Sequence, residues 1–218
     1  MISVPSSTNL IRYMSLGKAT VAGGSAEAQR TIELVTRCQE GEREALGEFY
    51  RLYRPEVARN LMRVLGPGRG DYEDVLQDVF IEVFRSIGRF RGDSRVSTWL
   101  YRVCVNVALQ RLRKRKRLAE VPGDELPEAQ SGETPERGLD TRRRLDAVYR
   151  ILDHLSPKKR VVFVLHEIEG REPKEIASIV GAPVLTVRTR LHYARKEFFA
   201  RAAADPRLDG ATAAGGAM

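Results

Sequence analysis

The segment Arg171 to Phe199 constrains the fold of this chain more than any other stretch. Pro173 suits the first turn of a helix, where no backbone N–H donor is needed, and Gly181 is a natural helix stop. Because Pro183 cannot continue that helix, a second helix has to start beyond it. The segment therefore predicts a helix-turn-helix over about residues 173–192, a motif that places its second helix in the DNA major groove.

The second helix of this motif has an apolar side and a polar side. Apolar residues recur at the spacing of a buried helical stripe, at Val187, Leu191, Ala194 and Phe198. The polar side and the first turn carry the candidate DNA-contacting residues, which are Thr186, Arg188, Thr189, His192, Tyr193 and Lys196.

The charge distribution favours an anionic partner. The 218 residues carry a net charge of +8, but residues 118–140 contain seven acidic residues and one basic residue, so the rest of the chain carries +14. An acidic tether between basic bodies suits binding to a polyanion.

Several classes of protein are not expected from the composition. The two cysteines, Cys38 and Cys104, are far apart and the three histidines are scattered, which predicts reduced thiols and no metal or other cofactor. No nucleotide-binding loop, catalytic triad or paired-carboxylate pocket is evident, so no enzyme is predicted. No apolar run approaches transmembrane length and no signal core is evident, which predicts a cytoplasmic protein without membrane insertion.

The pattern along the chain predicts an all-α fold of two small helical domains joined by an acidic flexible linker. We expect a disordered N-terminal extension over residues 1–26, the first domain over 27–117 and the linker over 118–138. The second domain is expected over 139–204 and a flexible tail over 205–218. Translation could begin at Met1 or at Met14.

One predicted helix of the first domain, Tyr72 to Ile87, has an acidic stripe. Its polar side carries Asp74, Gln77, Asp78 and Glu82, opposite rows of valine, leucine and phenylalanine. Such a stripe is either an ordinary solvated face or a docking surface for a basic protein partner.

The next predicted helix, Thr98 to Arg117, and the polar loop before it suit nucleic acid. The helix ends in six positive charges over residues 111–117, which can neutralise phosphates, and its amides can reach base edges. The loop starts with an aromatic residue and could hold an unstacked base, whereas Trp99 is expected to anchor the core. The candidate DNA-contacting residues here are Phe90, Gly92, Ser94, Ser97, Arg102, Asn106, Gln110 and Arg113.

Taken together, these segments resemble a bacterial sigma factor of the extracytoplasmic-function (ECF) group, the two-domain members of the primary sigma family. The residues that carry the resemblance are CQEGEREALGEFYRLYR, EDVLQDVFIEVFRSIGRF, VSTWLYRVCVNVALQRLRKRKR and the stretch from LSPKKR to ARKEF. They extend over about 170 of the 218 residues in the order typical of the family.

The resemblance implies a sigma-2 domain, a sigma-4 domain and a division of roles between them. The acidic face would bind core RNA polymerase, the loop and the Asn106 helix would recognise and melt the minus-10 element, and the helix-turn-helix would recognise the minus-35 element. Promoter DNA and an anti-sigma factor are the other implied partners, and no obligate homo-oligomer is expected. Gln110, Leu185 and Tyr193 depart from residue types common in the family.

One alternative stays open from the residues alone. A helix-turn-helix regulator could bind operator DNA as a dimer without polymerase. That hypothesis explains Arg171 to Phe199 but leaves the first domain without a role.

Overall fold

The structure, a computed structural model, describes residues 25–66, 71–119 and 136–211. Within these ranges it contains eight α-helices and no β-strand, which confirms the all-α prediction. The helices divide into two compact units, α1–α4 and α5–α8. The predicted N-terminal extension up to residue 24, most of the linker (120–135) and the end of the tail (212–218) lie outside the described residues.

The first unit is a helical bundle in which α2 packs against each of the other three helices. Helix α4 packs against α2 and α3, and α2 also packs against α1 and α3. A short 3-10 helix, Ile87–Arg89, follows α3 and packs against α1. The bounds are α1 Ser25–Gln39, α2 Arg43–Leu65, α3 Tyr72–Ser86 and α4 Val96–Ala119.

The buried side of α4 is broader than the sequence pattern predicts. Val103 and Val107 have the helical spacing that predicts core positions beside Leu100 and Cys104, but they are only half-buried. The buried apolar residues are Leu100, Tyr101, Cys104, Val105, Ala108 and Leu112. Because α2 and α3 cover α4 from two directions, its apolar surface extends past a single stripe. The two cysteines are buried free thiols, as predicted.

The second unit contains the predicted helix-turn-helix. Helix α8 packs against α5, α6 and α7. A π-helical turn, Val164–Ile168, follows α6, and Gly170 with φ +67° lies in the turn before α7. The bounds are α5 Glu136–His154, α6 Pro157–Phe163, α7 Pro173–Val180 and α8 Val184–Ala202.

An arginine lies in the core of this second unit. Arg160 is only 1% exposed, forms an ion pair with Asp153 and lies over the Tyr149 ring at 5.9 Å. A buried charge needs such partners because its desolvation costs several kcal/mol, on the order of the stability of a small domain. The cluster ties the end of α5 to α6.

The first residues of the segment expected as a flexible tail form a short helix. A 3-10 helix spans Pro206–Ala211 and packs against α5. Leu208 is 4% exposed, and burial of a leucine side chain contributes roughly 2 kcal/mol. Leu208 is a single apolar residue in a segment rich in Gly and Ala, so no periodic pattern in the sequence indicated that its side chain would be buried.

Candidate nucleic-acid interface

The acidic stripe of α3 lies beside an open groove. Asp74, Gln77 and Asp78 are exposed, whereas Glu82 is half-buried and pairs with Arg85 at 3.2 Å. The groove has a volume of about 400 Å³. Its lining residues are Tyr50, Glu73, Asp74, Leu76, Gln77, Phe80, Ile81 and Phe84.

This groove combines negative charge with exposed apolar surface. Ile81 is 49% exposed and Tyr50 is 36% exposed, and the Tyr50 ring packs on Phe80 with centroids 4.6 Å apart. Such surface favours a protein partner over simple solvation, because apolar side chains gain free energy when a partner covers them. Sequence reasoning missed Tyr50 and Ile81, although the apolar excess in VFIEVF was a signal for the second.

The charges at the groove are not equivalent. Arg54 of α2 pairs with Glu73 at 3.1 Å and donates to the Tyr50 hydroxyl at 3.2 Å. Within the described residues, Asp74 and Asp78 form no ion pair. Two carboxylates on one face of α3 are therefore open to a basic partner.

The loop between the 3-10 helix and α4 is fastened at its base. The Gln39 side-chain amide donates to the carbonyl oxygens of Ile87 and Phe90, both at 2.9 Å. The Phe90 ring packs against Trp99 with centroids 5.2 Å apart. Trp99 is thus a half-buried anchor for the loop rather than a fully buried core residue.

Beyond this base the loop projects into solvent. Gly92 is exposed and has φ +78°, a backbone conformation that other residues rarely adopt. Ser94 and Ser97 are half-buried, the latter in the first turn of α4. Sequence reasoning missed Gln39, which is 48 positions from Ile87 in the chain.

The candidate residues of α4 share one stripe. Arg102, Asn106, Gln110 and Arg113 recur at i, i+4, i+8 and i+11, and the last three are exposed whereas Arg102 is half-buried. Two amides followed by a guanidinium can donate to base edges and phosphates. The loop and this stripe belong to adjoining parts of the first unit.

Asp71, which precedes α3, binds two of the six basic residues at the end of α4. Arg111 Nε donates to Asp71 Oδ2 at 2.5 Å, and Arg115 Nη2 pairs with Asp71 Oδ1. The expectation that all six charges neutralise phosphates is therefore corrected, because two of them are bound by a carboxylate. The four exposed charges are Arg113, Lys114, Lys116 and Arg117.

The pKa of Asp71 reflects this cluster. Burial alone would raise the pKa of the carboxyl group, but hydrogen bonds and charge interactions with Arg111 and Arg115 outweigh burial and lower it. Asp71 therefore stays ionised, and it fixes the end of α4 against the start of α3.

The helix-turn-helix has the predicted local structure. Pro173 begins α7, and a capping box pairs Glu172 with Glu175, whose Oε2 accepts from the Glu172 backbone N–H at 3.0 Å. Gly181 ends α7 with φ +60°, and Pro183 precedes α8. These features confirm the helix stop and restart read from the sequence.

The outer face of α8 presents most of the candidate residues. Arg188, Thr189, His192, Tyr193 and Lys196 are exposed, and Thr186 is half-buried. The predicted apolar stripe at Val187, Leu191, Ala194 and Phe198 is buried.

Tyr193 differs from the others because it also contacts α6. Lys159 lies over its ring at 5.7 Å and forms an ion pair with Glu197. The Tyr193 ring also meets His192 edge-on, with centroids 5.4 Å apart. Tyr193 therefore lies at the flank of the outer face.

Among the described side chains, no group of three or more His, Cys, Asp or Glu could hold a metal ion. Over the same residues, every helix is too short or too polar to cross a membrane.

Comparison with known proteins gives two family matches. Residues 49–118 match the Sigma-70 region 2 family, and residues 145–198 match the Sigma-70 region 4 family. The first match covers α3, the loop and most of α4, and the second covers the helix-turn-helix.

Individual relatives match most of this chain and most of their own length. The ECF RNA polymerase sigma-E factor of Escherichia coli strain K12 is 34% identical over 172 residues, which cover 75% of this chain and 89% of the relative. The protein of the same name from Haemophilus influenzae is 33% identical over 180 residues, covering 78% of this chain and 94% of the relative. The solved structure of CnrH in complex with the cytosolic domain of CnrY has the same fold, with a TM-score of 0.52, 24% identity and coverage of 79% of this chain and 96% of that chain.

Proposed function

Since this chain belongs to the ECF sigma factors of RNA polymerase, we propose that its two units divide polymerase docking and promoter reading among the three surfaces described above. The protein is a sigma factor and not an enzyme: it binds core RNA polymerase, directs it to promoters and helps open the minus-10 region. Its group is the ECF sigma factors rather than the primary sigma factors. The observation that carries the proposal is the pairing of an acidic, partly apolar groove with two exposed DNA-compatible helices in one chain.

The groove of the first unit is the proposed docking surface for core polymerase. Asp74 and Asp78 supply negative charge for a basic partner, Gln77 lies between them and Glu82 continues the face. The exposed apolar side chain of Ile81 supplies area for the same contact. Charge sets the orientation and rate of such an encounter, and the buried apolar area stabilises it.

The loop and the α4 stripe are the proposed minus-10 reader. Gly92, Ser94 and Ser97 give the loop small polar surfaces for an extruded base, and Phe90 fixes its start. Along α4 the proposed contacts are Arg102, Asn106, Gln110 and Arg113. The exposed charges after Gln110 supply affinity for phosphates, and the amides supply base contacts.

The outer face of α8 is the proposed minus-35 reader. Arg188, Thr189 and His192 lie on the first turns, which a helix-turn-helix inserts deepest into the major groove. Thr186, Tyr193 and Lys196 are proposed as contacts at its edges.

The site of action and the further partner belong to the same proposal. We infer that the protein acts in the cytoplasm, because bacterial RNA polymerase transcribes the chromosome there. An anti-sigma factor is the inhibitory partner that the family implies, and the exposed apolar groove offers it a surface. The comparisons support this function and give no support to an autonomous operator-binding regulator.

The test is run-off transcription with core polymerase on a genomic fragment library. We expect defined transcripts only when the protein is added, and their start sites to reveal shared minus-10 and minus-35 sequences. Asp78→Arg should abolish capture of core polymerase, while Glu40→Arg, an exposed charge reversal on the short turn between α1 and α2, should not. Equal capture by wild type and Asp78→Arg would refute the docking assignment.

A further inference from the structure

The most exposed large apolar side chain among the described residues is on the helix-turn-helix. Leu185 is 76% exposed, whereas the next, Ile32 and Leu52, are each 57% exposed. Leu185 is the second residue of α8, directly after the turn. Its side chain therefore contributes little to the packing of the second unit.

Leu185 is in register with the proposed minus-35 contacts. Leu185, Thr189, His192 and Lys196 recur at i, i+4, i+7 and i+11, which places them on one stripe opposite the buried residues of α8. The Thr189 hydroxyl donates to the Leu185 carbonyl at 3.0 Å, so the two residues are linked through the helix itself. Leu185 is the first member of this stripe, at the helix end that enters the groove.

A leucine in that place can recognise one feature of the major groove. It has no hydrogen-bond donor or acceptor in its side chain, and the apolar group that unmodified DNA displays there is the C5-methyl of thymine. We propose that Leu185 is a specificity-determining residue that packs on the C5-methyl group of a thymine in the minus-35 element. This inference rests on the proposed function, because it requires α8 to lie in the major groove of a promoter.

The expected effect is small but position-specific. Burial of one methyl group corresponds to about a fourfold change in affinity. The lost contact should therefore appear at a single thymine, whereas loss of a phosphate contact would weaken binding to every sequence alike.

The test combines a protein substitution with removal of a methyl group from DNA. Holoenzyme is assembled from core polymerase and either wild type, Leu185→Ala or Leu185→Met, with Leu52→Ala as a control that shortens an exposed leucine elsewhere. The probes are synthetic duplexes of a promoter from the run-off library, with each thymine of the minus-35 element replaced in turn by deoxyuridine. Affinity is measured by competition.

We expect wild type, Leu185→Met and Leu52→Ala to lose about fourfold in affinity at one deoxyuridine position. Leu185→Ala should bind the thymine duplex about fourfold more weakly and show no further loss at that position. Deoxyuridine effects that are the same in wild type and Leu185→Ala at every position, or absent from both, would overturn the inference. If wild-type holoenzyme bound and transcribed no promoter, the proposed function would fail first, and this inference with it.

Discussion

Replacing Asp71 by asparagine tests the cluster that divides the basic end of α4. The side chains are mostly withdrawn from solvent, with 22% of Asp71, 25% of Arg111 and 16% of Arg115 exposed. A hydrogen bond to a charged group contributes about 1.5–3 kcal/mol, and asparagine keeps one oxygen acceptor for one arginine. We expect the free energy of unfolding of the first unit to fall by about 2 kcal/mol.

Urea unfolding followed by tryptophan fluorescence measures this change. Trp99 is the only tryptophan, so the signal reports the first unit alone. Asp74→Asn is the matched control, since it removes the same charge from the first turn of α3 without touching the arginines. The melting temperature of Asp71→Asn should fall by roughly 10 °C, because about 1 kcal/mol shifts a domain of this size by about 4–8 °C.

The dependence on pH gives a second check. The pKa of Asp71 is lower in the folded protein than in the unfolded chain, so its contribution is fully present above the unfolded pKa of about 3.9. It is lost as the pH falls through the folded pKa. The difference between wild type and Asp71→Asn should therefore be constant from about pH 5 to 8 and shrink below about pH 4. If Asp71→Asn and Asp74→Asn unfolded within about 0.5 kcal/mol of each other at pH 7, the reasoning would be refuted.

Three further predictions concern the DNA-reading surfaces. Gln39→Ala removes both hydrogen bonds at the base of the loop. It should therefore lower the permanganate reactivity of minus-10 thymines in open complexes, whereas the control Glu40→Ala should not. A reactivity equal to that of Glu40→Ala would contradict this prediction. Asn106→Ala should reduce open-complex yield more than initial promoter binding, and equal losses in both would count against a base contact. Arg188→Ala should cost roughly 1–3 kcal/mol of base discrimination at the minus-35 element, measured with a base-substitution series; unaltered preference would make Arg188 a phosphate contact or a bystander.

The helix-turn-helix shows how much local sequence can determine. Pro173, Gly181 and Pro183 act on backbone conformation within one or two residues of themselves. Their effect on where the helices start and stop can therefore be predicted from the sequence alone. The buried stripe of α8 follows from helical periodicity in the same way. The all-α class was predicted on this basis, the sigma factor assignment was predicted from the resemblance to a known family, and both are confirmed.

The groove beside α3 shows what local sequence patterns do not predict. Its acidic residues lie on one helix and could be read from their spacing, but Tyr50 comes from α2. Periodicity within one helix says nothing of which neighbour will complete a surface. The same holds for Gln39, which reaches the loop from α1.

The sequence by itself determined the helical class, the turn between α7 and α8 and the outward face of α8. Those properties depend on backbone preferences and on spacing along a single helix. Tertiary structure alone decided that Asp71 holds Arg111 and Arg115, and that Leu208 anchors the residues after α8. It also decided that Leu185 stays uncovered. These outcomes depend on distances between residues far apart in the chain, which are set only when the helices pack.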